Sequence, residues 1–137
     1  MTTDSSIPEP VAPTSRRPLL WFLVDLAAVL VFTVLGMAMH GTPASDFLVV
    51  LWPFVLGLAI AWALPAVRSF PLLLWPTSVI VWVATTVIGL VLRGITGGGV
   101  SGAFPFVTAV VLAALLVGWR LVPWAQRRRH EKQARYL

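Results

Sequence analysis

The sequence predicts an all-α membrane protein: a polytopic four-helix bundle built from two helical hairpins. Of its 137 residues, 58% are hydrophobic and only 11% are charged, whereas soluble domains are nearer a quarter charged. Four apolar runs have about the 20 residues that a helix needs to cross roughly 30 Å of hydrocarbon. Most cations lie outside those runs, near the two ends of the chain. This pattern is typical of a multi-pass membrane protein.

The four predicted spans are joined by short connections, so consecutive helices should be antiparallel neighbours. Pro53 falls in the first two turns of the second span, where a missing N–H group is least costly. The predicted spans cover residues 19–39, 47–64, 72–92 and 104–122. They form one domain, 18–124, between an N-terminal tail, 1–17, and a basic C-terminal tail, 125–137.

The charge distribution predicts that both termini are cytoplasmic. Both tails are strongly basic, whereas the connection after the first span has no Lys or Arg and the connection after the third has only Arg93. The positive-inside rule therefore puts these two connections outside the plasma membrane. Five tryptophans fall at the predicted cytoplasmic helix ends, as in an interfacial aromatic belt. They are Trp21, Trp62, Trp75, Trp119 and Trp124.

The N-terminal tail is rich in Pro, Ser and Thr, which predicts disorder. An alternative is that Ser15, Arg16 and Arg17 begin a twin-arginine export signal. The apolar run that follows is longer than the apolar region of a signal peptide, contains Asp25 and precedes no A-x-A-like cleavage site. We therefore interpret it as the first span.

The two hairpins resemble each other in sequence. Sliding the chain by 53 residues aligns Val31–Gly41 with Ala84–Gly94 and matches two glycines, a threonine and a valine. With one loop residue removed, Trp52–Val55 falls on Phe104–Val107. Because both halves enter the membrane from the same side, such a duplication would be a parallel repeat about an axis along the membrane normal. Chance alignment of apolar residues remains the alternative.

Asp25 and Arg120 are the charged residues that most need an explanation. Asp25 lies about 9 Å into the first span, at 1.5 Å per residue, and a bare carboxylate at mid-membrane costs about 2.5 to 3.5 kcal/mol. Arg120 lies at a comparable depth at the end of the fourth span. We predict an Asp25–Arg120 ion pair. It can be a structural link between the first and last helices or part of a proton or ion relay.

A second polar cluster is predicted at the outer ends of the helices. His40, Asp46 and Arg93 border the outer connections, and under the duplication His40 and Arg93 occupy equivalent places. With the glycine-rich loop, they could hold an anion or a lipid head group. They could also simply hydrogen-bond each other. The loop glycines of this cluster are Gly97, Gly98 and Gly99.

Several chemistries find no support in the sequence. There is no cysteine, the two histidines are far apart, and one histidine with one carboxylate is not a metal site. Gly97-x-Gly99-x-x-Gly102 has dinucleotide-binding spacing but lacks the preceding strand. We expect no enzyme activity, no metal and no cofactor. The basic C-terminal tail should bind anionic lipid head groups and not nucleic acid.

The chain also resembles a family catalogued as a domain of unknown function, made of small four-helix membrane proteins found mainly in actinobacteria and haloarchaea. The resemblance covers Pro18 to Val122. A basic residue often follows the family glycine matched by Gly36, where this chain has Met37. The residues that carry the resemblance are Asp25, Gly36, His40, Pro53-Phe54, Gly89, Arg93, the glycine loop, Phe104 and Gly118-Trp119-Arg120. It implies the architecture and no known activity.

Few polar groups lie inside the predicted spans, which favours a non-catalytic scaffold or accessory subunit of a membrane complex. The alternative is a small transporter or channel for an ion or small solute. It would be a homo-oligomer, because one four-helix unit has little room for a pore. The expected partners are the lipid bilayer, anionic head groups and either a second copy or another membrane protein.

Overall fold

A computed structural model describes residues 17–136. The expected disorder of residues 1–16 and the twin-arginine alternative at Ser15 and Arg16 lie outside this range. All regular secondary structure from 17 to 136 is helical, which confirms the all-α fold class. The main helices are α1 Pro18–His40, α2 Phe47–Ala63, α3 Pro65–Ser69, α4 Val79–Ile95, α5 Phe104–Leu112 and α6 Leu121–Arg135.

Four helical segments are long and apolar enough to cross a membrane. They are Pro18–His40, Ala44–Ala63, Leu74–Ile95 and Phe104–Arg135. The second includes a turn of 3-10 helix before α2, and the fourth joins α5 to α6 through π-helical and 3-10 turns. Because the segments alternate in direction, the first residues of α1 and the last turns of the fourth segment meet at one end, called here the termini end. The connections after α1 and α4 form the opposite hairpin end.

The regular α-helix of the third span begins later than predicted. The span was expected to cover residues 72–92, but the helical segment starts with a π-helical turn at Leu74–Ser78 and α4 runs from Val79 to Ile95. Pro71 and Pro76 explain the shift, because proline lacks an N–H group and disfavours helical geometry in the preceding residue. The Trp75–Pro76 peptide bond is cis, and the hydroxyl of Thr77 donates to the carbonyl of Phe70 over 2.6 Å.

The fourth segment continues beyond its predicted end at residue 122. The basic tail is helical through Arg135, because its Ala, Gln, Arg, Glu and Lys residues are strong helix formers. The 32 residues from Phe104 to Arg135 rise about 48 Å at 1.5 Å each, against about 30 Å of hydrocarbon. The basic end of α6 therefore extends past the hydrocarbon region.

Glycines end two of the helices at the hairpin end. Gly41 has φ +64°, and the N–H group of Thr42 donates to the carbonyl of Met37 over 3.0 Å. Gly97 has φ +82°, and the N–H group of Gly98 donates to the carbonyl of Arg93 over 2.8 Å. Both ends are Schellman motifs, which need a left-handed residue that glycine supplies without strain. The glycine loop is thus partly a helix cap.

The closest packing in the bundle is between α2 and α4. A Cβ atom on Gly57 would lie 3.1 Å from the Cα atom of Thr85, a tight contact that would push the two backbones slightly apart, so glycine favours this approach. The buried core runs along this contact. It contains Val29, Phe32, Phe54, Leu58, Ala61, Trp62, Val67, Val81, Leu112 and Leu116.

Gly89 makes room for an aromatic side chain on the same interface. A Cβ atom on Gly89 would lie 2.3 Å from Cδ1 of Phe54, and the Phe54 ring is also held edge-on by Phe32 at 5.0 Å. In the sequence repeat, Gly36 corresponds to Gly89 and Phe106 to Phe54. Yet a Cβ atom on Gly36 would meet nothing within 4 Å, and Phe106 is 77% exposed. The first and fourth segments therefore leave a space where the second and third are tightly packed.

This difference predicts opposite effects for the same substitution at the two glycines. Gly89→Ala should destabilise the bundle by about 1 to 3 kcal/mol, because the enclosed Phe54 ring has to move. Gly36→Ala should be neutral or stabilising by up to about 1 kcal/mol, because alanine favours helix. Thermal unfolding in detergent, followed by circular dichroism, measures both. Equal effects would contradict the packing described.

Candidate functional site

The strongest polar constellation lies at the termini end and is centred on Asp25. This residue is on α1, about two turns from its start, and its side chain is completely buried. Arg120, in the 3-10 turn before α6, is also completely buried. Nη2 of Arg120 lies 2.7 Å from Oδ2 of Asp25, and Nη1 lies 2.9 Å from Oδ1. The structure thus places the two residues in a bidentate ion pair.

Two tryptophans complete the coordination of the carboxylate. Nε1 of Trp62, at the end of α2, donates to Oδ2 of Asp25 over 2.9 Å. Nε1 of Trp119 donates to Oδ1 over 2.8 Å. Each carboxylate oxygen therefore accepts two hydrogen bonds. A buried charge needs such partners, because burying it unpaired is costly. From the sequence, these tryptophans were predicted only as members of an interfacial belt.

The guanidinium of Arg120 is also hydrogen-bonded outside the ion pair. Its Nε atom donates to the carbonyl of Pro71 over 2.9 Å, and Nη1 donates to the carbonyl of Leu116 over 2.8 Å. Pro71 lies in the connection between the two hairpins. The group consisting of Asp25, Arg120, Trp62, Trp119 and the Pro71 carbonyl, called here the charge cluster, thus joins α1, α2, the fourth segment and the inter-hairpin connection.

Aromatic rings enclose the charge cluster. The indoles of Trp21 and Trp119 stack at 5.6 Å with an angle of 11° between their planes. Phe22 packs edge-on against Trp62 at 5.7 Å, and the guanidinium of Arg120 lies 4.4 Å from the ring centroid of Trp119. These rings lower the local dielectric and strengthen the charged hydrogen bonds. The geometry suits a permanent link between helices.

The second candidate site is a cavity of about 270 Å³ at the hairpin end, called here the hairpin pocket. Its rim contains His40, Arg93 and Gly99, and its walls are mostly apolar. The aromatic walls are Phe32, Phe54 and Phe104. Gly36 lines the pocket as well, at the place where a Cβ atom would meet empty space. The structure therefore brings together three of the six residues proposed for the outer cluster.

Arg93 is held at the rim by its neighbours. Its Nε atom donates to the carbonyl of Gly99 over 3.2 Å, and its guanidinium carbon lies 4.9 Å from the Phe104 ring centroid. The His40 ring is 6.5 Å from the same ring. A Cβ atom on Gly98 would lie 2.5 Å from Cγ of Arg93, so this glycine leaves room for the arginine side chain.

The other members of the proposed outer cluster lie elsewhere. Asp46 is exposed, does not line the pocket, and accepts a hydrogen bond from the Ser45 hydroxyl over 3.2 Å. The N–H groups of Gly97 and Gly98 donate to carbonyls at the end of α4, so they serve the helix cap. Within residues 17–136, no three His, Asp or Glu side chains are grouped so as to hold a metal ion.

One comparison with known proteins gives a match. The model of a family described as a protein of unknown function (DUF3054) matches residues 22–123, which is most of the chain. This range nearly coincides with the Pro18 to Val122 region in which the sequence resembles a family of unknown function. No curated protein and no solved structure matches the chain.

The geometry of the charge cluster predicts that the Asp25→Asn substitution strongly reduces the stability of the bundle. Asp25→Asn preserves the shape of the side chain but leaves the buried guanidinium of Arg120 without its counter-charge. It should destabilise the bundle by about 3 to 5 kcal/mol, lowering the thermal midpoint in detergent. Asp46→Asn is the matched control, because the exposed Asp46 should tolerate the same change. A similar midpoint for both variants would contradict the structural role of the cluster.

Proposed function

We infer that this chain, which belongs to the DUF3054 family, is a non-catalytic scaffold or accessory subunit of a membrane complex. It is an integral membrane protein with four helices apolar enough to cross the bilayer. The observation that carries the proposal is that the two buried charges, Asp25 and Arg120, are hydrogen-bonded within the bundle. Both oxygens of Asp25 and all three guanidinium nitrogens of Arg120 bond to groups within the bundle. A substrate would have to break these bonds to reach them.

The residues between the charge cluster and the hairpin pocket support the same proposal. Val29, Leu58, Leu112 and Leu116 are completely buried and belong to one apolar core cluster. This core separates the charge cluster at the termini end from the hairpin pocket. A pathway for ions within one chain needs polar groups or water along its length. Between the sites, residues 17–136 offer this apolar core and the buried hydroxyls of Thr33, Thr85 and Thr86, which are not hydrogen-bonded to one another.

The extended end of α6 gives the scaffold a surface outside the hydrocarbon. It presents four arginines, a lysine and a histidine after Pro123, and Arg128 lies over the ring of Trp124 at 4.6 Å. Such a basic helix binds anionic head groups with about 1 kcal/mol per cation near the surface. We propose that the bilayer and a membrane protein, either a second copy or another chain, are the partners.

A small homo-oligomeric transporter or channel is the second candidate. The observation that favours it is the hairpin pocket, where Arg93 and His40 border a cavity with mixed polar and apolar walls. In this candidate, Arg93 selects an anionic solute at the pocket, and a pathway forms between copies of the chain. The two candidates differ in whether substituting Arg93 changes the function.

The orientation proposed for either role has both termini in the cytoplasm and the location in the plasma membrane. The chain has no cysteine, so introduced cysteines are unambiguous labels. Ser101→Cys, in the connection after α4, should react with a membrane-impermeant maleimide on intact cells. His130→Cys, on α6, should react only after permeabilisation. Labelling of His130→Cys alone on intact cells would reverse the orientation.

The scaffold role predicts a partner that does not depend on the hairpin pocket. After mild solubilisation, a defined protein should co-purify in a fixed ratio with the wild type and equally with Arg93→Gln. Quantitative mass spectrometry of the purified complexes measures that ratio. A monodisperse lone species that gives proteoliposomes a solute flux, with the flux lost in Arg93→Gln, would instead establish the transporter.

A further inference from the structure

The hairpin pocket has the features of a binding site for a small molecule. Its walls combine aromatic rings and aliphatic side chains with a few polar groups, the composition usual for such sites. Two polar groups lie at different places in its lining: Arg93 beside the glycine loop, and Thr108 on the second turn of α5. Both have hydrogen-bonding capacity that the protein leaves unused.

Thr108 is 1% exposed, yet its hydroxyl oxygen has no hydrogen-bond partner among residues 17–136. Leaving a buried hydroxyl without a partner is unfavourable, so buried polar atoms are normally paired. The hydroxyl of Thr33, also in the lining, is paired with the carbonyl of Val29 over 2.9 Å. Thr108 thus has a free hydroxyl in the pocket lining; the buried hydroxyls of Thr85 and Thr86, outside the lining, also lack a partner among residues 17–136.

Arg93 has a free binding edge as well. Its Nε atom is bonded to the carbonyl of Gly99, while no residue from 17 to 136 accepts a hydrogen bond from its two Nη atoms. Its guanidinium is partly buried and is positioned over Phe104. A guanidinium with two free N–H groups held in a fixed plane binds carboxylate or phosphate oxygens in a bidentate manner. The ligand group at the rim should therefore be an anion.

The volume limits the remainder of the ligand. The volume of about 270 Å³ lies just below the usual range of small-molecule sites, about 300 to 1,000 Å³. The part of the ligand inside the pocket should therefore be short. The walls around Gly36, Phe32 and Phe54 are apolar, which favours an aliphatic or aromatic body over a sugar or nucleotide.

From these observations we propose that the hairpin pocket binds an amphiphile with one anionic group, held by Arg93, and a short apolar body that lies against Gly36. This chemistry occurs in free carboxylates of medium length and in the head group and upper chain of an anionic lipid. The inference goes beyond the scaffold role and is independent of it, because binding is measured on the isolated chain.

Calorimetric titration of the purified chain in non-ionic detergent tests the proposal, with octanoate as the probe. 1-Octanol has the same chain without the charge. Octanoate should bind the wild type at least about tenfold more tightly than octanol does, and Arg93→Gln should remove that difference. Arg93→Lys should keep part of it. Arg68→Gln is the matched control, because Arg68 is an exposed arginine in α3, between the two hairpins, and should leave binding unchanged.

Substitutions at Gly36 fill the pocket and leave the charge of Arg93 in place. Because a Cβ atom on Gly36 meets nothing within 4 Å, Gly36→Ala and Gly36→Leu should fold and should weaken octanoate binding in that order. Their unfolding midpoints, measured without octanoate, verify that folding is intact. Unchanged binding in a folded Gly36→Leu would overturn the assignment to this pocket.

Native mass spectrometry distinguishes the two sources of ligand. Phosphatidylglycerol and phosphatidylcholine are offered in equal amounts. Preferential retention of phosphatidylglycerol that is lost in Arg93→Gln identifies the lipid source, whereas octanoate binding without that preference identifies a free carboxylate. The proposal is overturned if neither ligand shows a dependence on Arg93. A protein that binds neither can still retain a partner, so failure here is separate from failure of the scaffold role.

Discussion

A carboxylate and a guanidinium buried in an apolar bundle must be paired, and this requirement determines how the helices meet at the termini end. The bidentate bond between Asp25 and Arg120 joins the first and last spans, which are furthest apart in sequence. The Trp62 indole and the Pro71 carbonyl add α2 and the connection between the hairpins. The low dielectric that makes an unpaired charge costly also makes each of these bonds strong. The cluster thus specifies one arrangement of the helices.

At the hairpin end, packing depends on which residues have no side chain. Gly57 and Gly89 allow α2 and α4 to approach until Phe54 fills the space between them. At the aligned positions of the other hairpin, Phe106 is exposed and a Cβ atom on Gly36 would meet nothing within 4 Å. The open space at Gly36 is part of the hairpin pocket.

The sequence predicted the span number well, because a run of about 20 apolar residues has few alternatives to a membrane helix. It also indicated Asp25 and Arg120 as partners, since two charges at one depth in hydrocarbon have to find each other. Trp62 and Trp119 were missed as ligands of Asp25, because indoles at helix ends are equally typical of an interfacial belt. The hairpin pocket could not be predicted, since it depends on which side chains pack between the helices, as the exposed Phe106 and the open space at Gly36 show.

The sequence alignment of the two hairpins shows why residues 17–136 hold one charge cluster and not two. With the alignment that pairs Trp52 with Phe104, Arg120 corresponds to Arg68, and a shift of 53 residues pairs Asp25 with Ser78. Ser78 has no charge to offer and donates to the carbonyl of Leu74, while Arg68 is exposed and donates to the carbonyl of Ala63. A buried arginine at position 68 would therefore lack a counter-ion, whereas the exposed Arg68 needs none. The two pairs of spans have different roles. The first and fourth spans carry the buried charge pair and leave a cavity, whereas the second and third form the packed centre that supports both.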